Sequence, residues 1–282
     1  MSTATVAAAP SSVAGATKNI DHLSWSAIRT YTSCPRKYFL KYIAQVPEES
    51  RAATLIFGSA FHFALDFAHQ QVLEGTEIPS VESLLTKYKA KWNSEAENTP
   101  EVTYGKSDDE ASMIDLATRM LTAYRDYLSA EATVRQGTQI IAIEHAHRFR
   151  LLADVPPIEC RLDLVEMAGN NLLLSDVKTS KSRWGSAKTA ESILQLVLYA
   201  NAITPLAKEM GADTRIVPRF IVVTKAVSPV VQVLEPRATQ NDVDRLKQLV
   251  ADAWRGISSG VYFRNESFAC SYCPYRAHCL GR

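Results

Sequence analysis

Asp163, Asp176 and Lys178 have the residue types and the spacing for metal-assisted hydrolysis. The segment Ala168-Gly-Asn-Asn171 suits a tight hairpin, and folding the chain about Gly169-Asn170 sets Asp163 opposite Asp176. Cross-strand partners have Cβ atoms about 5 Å apart. Two carboxylates that close repel, and one has its pKa raised unless a cation or a basic group intervenes. Lys178, two residues beyond Asp176, lies on the same face of its strand. The carboxylates can hold a divalent ion through hard oxygen ligands while the ammonium orients an attacking water. An exposed salt-bridge cluster is the competing account. Against it, Leu172, Leu173, Leu174 and Val177 make this a buried strand, where solvated charge is unfavourable.

Four more polar residues stand near in pattern. Glu144 interrupts an apolar strand-like run, and His62 lies with Gly58, Asp66 and His69 on the minor stripe of a helix. Gln195 and Tyr199 are four residues apart on a helix and share a face. Taken singly, such a histidine is commonly a hydrogen-bonded structural residue and such a Gln/Tyr pair a surface feature.

A second constellation is thiolate. The tail reads Cys270-Ser-Tyr-Cys273-Pro-Tyr-Arg-Ala-His-Cys279, and Cys34 lies far upstream at a helix start. Four clustered thiols in a cytoplasmic chain favour a metal or a cluster over disulfides, and such a site staples the two ends together. Zinc and a four-iron cluster both accept four thiolates, and spacing alone does not separate them. The fifth cysteine, Cys160, shares a strand face with Ile158 and Leu162 and reads as a small apolar side chain.

The elements that must position these groups follow from periodicity. Residues 1–20, rich in Ala, Ser and Thr, read as a disordered leader without a secretory pattern, which gives a cytoplasmic expectation. Two short helices follow, capped at Ser24 and Ser33 with Pro35 in a first turn. Helical spacing over residues 57–73 and 109–128 completes a helical part (21–135), with 93–108 read as a loop. Strands over 139–149, 158–167, 172–179, 219–224 and 230–234, with a helix over 190–203, form a core (136–236). A last helix over 240–258 and the cysteine tail close the chain (237–282). The expectation is a single α/β domain over 21–282, with a mixed sheet flanked by helices, a helical N-terminal lobe and a cluster-bearing tail. No apolar run reaches the roughly 18 residues of a membrane span. The formal charge of +1 excludes no partner, because local stripes decide nucleic-acid binding; Arg36-Lys37 with Lys41, and Lys178 to Lys188, are the basic stretches. No Gly-rich phosphate loop with Lys-Ser or Lys-Thr is present, so any unwinding falls to a partner.

In order, Gly58-x-x-x-His62, Glu144, Asp163, Asp176-x-Lys178 and Gln195-x-x-x-Tyr199 resemble the PD-(D/E)XK nuclease superfamily in its RecB-like branch. The opening Ser24-Trp-Ser-Ala-Ile-Arg-Thr-Tyr-x-x-Cys34-Pro-Arg-Lys-Tyr38 and the tail cysteines resemble its iron–sulfur members, the CRISPR-associated adaptation nucleases and AddB-type domains. The proline that names the superfamily is absent, and Cys160-Arg-Leu stands before Asp163 where a glycine-led turn is usual. The resemblance implies a restriction-endonuclease-like fold. It implies Mg²⁺ or Mn²⁺ held by His62, Asp163, Asp176 and the Val177 carbonyl, with Lys178 catalytic. Glu144 would support the metal site, Gln195 and Tyr199 would line the DNA-facing side, and Cys34, Cys270, Cys273 and Cys279 would hold a [4Fe-4S] cluster, zinc being the alternative. The expected activity is a DNA exonuclease acting on single-stranded or duplex ends in recombination, repair or CRISPR adaptation, beside a helicase or integrase partner. A non-cleaving DNA-end-binding assembly factor and an endonuclease with the same centre are the alternatives.

Overall fold

The computed structural model describes residues 20–134, 137–211 and 213–281. All but Ile20 of the expected leader lies outside the described residues. In chain order the elements are β1 (Leu23–Ser24), α1 (Trp25–Ser33), α2 (Pro35–Tyr38), β2 (Arg51–Ala52), α3 (Ala53–Leu73), α4 (Val81–Glu97), β3 (Val102–Thr103) and α5 (Glu110–Val134). There follow β4 (Thr138–Phe149), β5 (Ile158–Ala168), β6 (Asn171–Ser180), α6 (Ser186–Met210), β7 (Arg215–Thr224), β8 (Val231–Leu234), α7 (Gln240–Ser258) and α8 (Arg276–Leu280). None of the described helices is long and apolar enough to cross a membrane.

The chain divides into two compact units: residues 48–149 with 159–246, and residues 1–47 with 150–158 and 247–282. The larger unit is built on the strand order β4-β5-β6-β7-β8, with β6 and β7 parallel and the β5–β6 and β7–β8 pairs antiparallel. It is a mixed α/β arrangement, a central mixed sheet flanked by helices. The β5–β6 turn has Gly169 at φ 57°, placing glycine at the first central position of a two-residue hairpin, as II′ turns do. Registered pairs run from Ala168↔Asn171 up to Leu164↔Ser175, one step short of the two aspartates.

Alternation sends Val177, Ile221 and Val223 to one face of the sheet, against the apolar sides of α3, α4 and α5. On α3 the buried residues Ile56, Ala60, Phe61, Ala64, Leu65 and Ala68 recur at helical spacing. Phe220 and Val222 project to the opposite face and pack with Leu196 of α6. Trp184 crosses Phe220 at 5.0 Å, and both backbone groups of Trp184 bond the Gln232 amide.

Several caps and bounds differ from expectation: the N-cap of α2 is Cys34, not Ser33, and no side chain caps it. Residues 93–97 belong to α4, which Ser80 caps by accepting from the Ser83 N–H and which buries Leu84, Tyr88 and Trp92. α3 also begins four residues before the periodicity of 57–73 indicates, at Ala53, because its N-cap Ala52 has no capping side chain to mark the start.

In the smaller unit, Ser24 caps α1 by accepting from the Ala27 N–H, and Pro35 takes the first position of α2. The Leu23 N–H bonds the Pro157 carbonyl at 2.9 Å. Tyr31 donates to the Val261 carbonyl at 2.9 Å and packs edge-on against Tyr38 and Tyr262.

Candidate active site

β5 and β6 position Asp163, Asp176 and Lys178, β4 positions Glu144, and α3 brings His62. Ligand atoms of His62, Glu144 and Asp163 lie within 4.8 Å of one another, all three residues being half-buried. The Val177 N–H donates to Asp163 Oδ2 at 2.7 Å, which fixes that carboxylate beyond the end of the ladder. His62 Nδ1 stands 3.7 Å from the same oxygen. Asp176 is in a second, adjoining pair: its Oδ2 meets Lys178 Nζ at 2.7 Å. Gln195 Nε2 donates to Asp176 Oδ1 at 3.0 Å and to Tyr199 Oη at 2.9 Å. Tyr199, expected on the DNA-facing side, is buried at 7% exposure, and its hydroxyl accepts from the Gln195 amide.

Glu144 departs furthest from its expected place. It has φ 48° inside a β-strand, a left-handed backbone that a residue with a Cβ adopts at a cost. The geometry makes it a first-hand ligand candidate beside His62 and Asp163, whereas a supporting role was the expectation. Asp66 lies one turn beyond His62 on the same helical stripe. Burial, with Glu144 and Asp163 nearby, pushes its carboxyl up to about 8. The i, i+4 spacing from His62 was the available signal.

Burial pushes both Asp163 and Asp176 up to about 6, against the pull of Lys178 toward ionisation. Burial alone would lower Lys178, but Asp176 and Asp163 outweigh it and leave the ammonium raised above its ordinary value. His62 is lowered by burial and by Lys178. The centre therefore combines an imidazole shifted toward its neutral form, carboxyls raised by burial and two cations, Lys178 on Asp176 and Arg161, whose Nη1 stands 3.6 Å from Glu144 Oε2. Carboxylate oxygens with one imidazole are a donor set that can hold a divalent cation.

Cys34, Cys270, Cys273 and Cys279 come together in the smaller unit, lining a cavity of about 250 Å³ with Lys37, Arg264 and Arg276. Two hydrogen bonds bring the tail to Cys34: the Asn265 side-chain amide Nδ2 donates to the Ser33 carbonyl at 2.8 Å, and the Arg36 N–H donates to the Phe263 carbonyl at 3.0 Å. The Cys273 thiol is raised by burial, held down by a backbone bond near Tyr275 and by Lys37, and raised again by Cys34 and Cys270. Cys160 is elsewhere, buried in β5 with Sγ 3.6 Å from the His147 carbonyl, and burial pushes its thiol up to about 12.

A mixed sheet whose hairpin carries an acid and an acid-x-lysine, joined by a helical histidine, defines a metal-dependent nuclease core. The chain belongs to the PD-(D/E)XK nuclease superfamily, whose sequence profile matches residues 22–280. No curated protein matches the sequence. Among solved structures, a candidate exonuclease from Eubacterium rectale aligns over 97% of this chain and 94% of its own, at 12% identity and a TM-score of 0.56, which is a likeness of fold. A structure named SSO0001 aligns over 91% of this chain and 95% of its own at 11% identity, with a TM-score of 0.31 that bears no weight.

Proposed function

We propose that the protein is a divalent-metal-dependent DNA exonuclease of the RecB-like branch, its nuclease domain spanning residues 21–282. The observation that carries the reading is the convergence of His62, Glu144 and Asp163 within 4.8 Å, beside the Lys178–Asp176 pair at 2.7 Å. A divalent cation held by the first three would supply the positive charge that stabilises a phosphorane-like transition state. The Val177 N–H holds the Asp163 carboxylate in place, and Gln195, itself bonded to Tyr199, does the same for Asp176. Lys178 remains protonated, so it orients water or neutralises a phosphate oxygen and does not serve as the base. The exonuclease assignment, in preference to an endonuclease or a non-cleaving end-binding factor, is supported by the RecB-like motif order and by a fold neighbour described as an exonuclease.

A [4Fe-4S] cluster is the group we assign to the four thiols, a reading supported by their lining one cavity, with zinc as the alternative. Its role is structural, tying the tail to α1 and α2. Anaerobic purification should yield about four irons per chain by metal analysis, and zinc in their place would replace the cluster assignment.

The test of the activity is digestion of end-labelled linear single- and double-stranded DNA, alongside closed circles, with Mg²⁺ or Mn²⁺. End-dependent degradation by wild type and its loss in Asp176→Ala are expected. Cutting of circles would convert the reading to an endonuclease, and binding without cleavage under both metals would leave an assembly factor.

A further inference from the structure

The net charge of +1 conceals a segregation. Residues 1–47, 150–158 and 247–282 hold eleven Lys and Arg against four Asp and Glu, so the smaller unit is strongly basic and the larger one acidic. Nucleic-acid affinity follows such local excess, not the total. On this basic unit the short 3₁₀ turn Phe268–Tyr272 holds two aromatic rings almost wholly in solvent: Phe268 is 79% and Tyr272 74% exposed. Their centroids are 5.5 Å apart at an interplanar angle of 65°, so each leaves a ring face uncovered by the other. Phe263 adds a third exposed ring at 60%. Arg264 and Arg276 are exposed cations in the same tail, and among the described residues no ion pair engages either of them or Lys37.

Burying these rings in the fold would have been favourable by about 25 cal/mol per Å² of apolar surface, so their exposure marks an interaction surface. Its charge selects the occupant. A protein partner would have to bring a matching acidic face, whereas a polyanion with stackable rings satisfies both the arginines and the aromatics. Bases within a duplex have their faces covered by neighbours, so the ligand is unpaired.

We propose that the tail segment around Phe268 and Tyr272 is a binding platform for single-stranded nucleic acid, its bases stacking on the two rings and its phosphates meeting Arg264 and Arg276. The platform rests on the nuclease reading for its choice of DNA, but not for its geometry. It assigns the basic tail a task separate from ligating a cluster: holding an unpaired strand.

The experiment is fluorescence anisotropy of fluorescein-labelled oligothymidylate, and of a duplex of equal length, titrated with the full chain in EDTA so that no cleavage intervenes. Phe268→Ala/Tyr272→Ala should weaken oligothymidylate binding by roughly thirtyfold or more, given about 1–3 kcal/mol for each of the two stacked bases, and change duplex binding by no more than about twofold. Phe268→Trp/Tyr272→Trp should keep the affinity, which separates stacking from any fault in folding. Arg264→Ala/Arg276→Ala should lower the salt dependence of log K by about 0.7 per lost phosphate contact. Unchanged oligothymidylate binding in the alanine pair overturns the platform, as does equal loss on duplex. A change in oligomeric mass by light scattering, with DNA binding intact, would reassign the patch to a second copy. If wild type degrades DNA while the alanine pair binds normally, the platform falls and the nuclease reading stands; if wild type neither binds nor cuts, both fall.

Discussion

Glu144 gives the sharpest quantitative test of the site's construction. Its φ of 48° lies within β4, where every strand residue ordinarily has negative φ. A side chain in the left-handed region costs about 1–2 kcal/mol through Cβ crowding, and glycine is free of that cost. Alanine and glycine both remove the carboxylate, so comparing Glu144→Ala with Glu144→Gly cancels the loss of charge and leaves the backbone. In an ordinary strand glycine is less stable than alanine by about 0.5–1 kcal/mol. At this position the left-handed penalty outweighs that entropy, and Glu144→Gly should be the more stable by about 0.5–1 kcal/mol. Urea denaturation in EDTA, followed by tryptophan fluorescence, reads this as a higher midpoint at unchanged slope. The control is the exposed neighbour His145, which has negative φ, so that His145→Gly should be the less stable of its own pair. Calorimetric Mn²⁺ titration should show weakened binding in both Glu144 variants alike. Equal stability, or an advantage for Glu144→Ala, would refute the strained-ligand account.

Other outcomes follow from single contacts. A Cβ on Gly256 would stand 2.0 Å from the Tyr31 hydroxyl, and that ring is pinned by Tyr38, Tyr262 and its bond to Val261. Gly256→Ala should therefore lose about 1–3 kcal/mol by denaturant titration, and Tyr31→Phe in the same chain should restore part of it. His69, bonded to Tyr124 at 2.9 Å, is pushed by burial down to about 4. Its folded pKa lies below the unfolded value near 6.5, so its contribution is fully present above about pH 6.5 and fades as pH falls toward 4. The full effect is of order 3 kcal/mol, and the melting temperature of His69→Gln should fall less steeply across that window than that of wild type. Lys178→Ala should slow cleavage by about 10²–10³-fold in a single-turnover assay while DNA binding persists; cleavage at the wild-type rate would remove Lys178 from the mechanism.

The hairpin was the most legible part of the sequence because glycine at a two-residue turn fixes register, and register fixes which side chains share a face. From that alone Asp163, Asp176 and Lys178 fall together. The strands of β4 to β8 were recognisable from branched residues, and α7 from its apolar spacing. α4 was partly hidden because three buried anchors among charged residues leave a thin periodic signal, although Ser80 was a readable cap. α6 runs on past Ile203 and through Pro205 to Met210, further than its apolar period showed. Glu144 stood out in the sequence as a polar residue in an apolar strand, but its left-handed backbone and its place beside His62 and Asp163 were not legible: such a conformation is imposed by neighbours in three dimensions, and local composition does not encode it. The burial of Tyr199 and of His69 depends likewise on partners distant in the chain.

The parallel pairing of β6 with β7 has a consequence for the order in which the nascent chain acquires its centre. β5 and β6 are joined by two residues and can zip together as soon as they leave the ribosome. β7 can join them only after residues 181–214 have been made and α6 has docked, a costlier closure that comes later. Until then β6, with Asp176 and Lys178, is an open edge in water, its charges hydrated and its hydrogen-bonding groups available to any passing strand. Docking of β7 and α6 removes that water and delivers Gln195 to Asp176. Competence for chemistry is thus acquired in the same late step that closes the edge, so a polypeptide interrupted before β7 would carry the acidic hairpin without its desolvated setting, as an aggregation-prone fragment rather than an early-active enzyme.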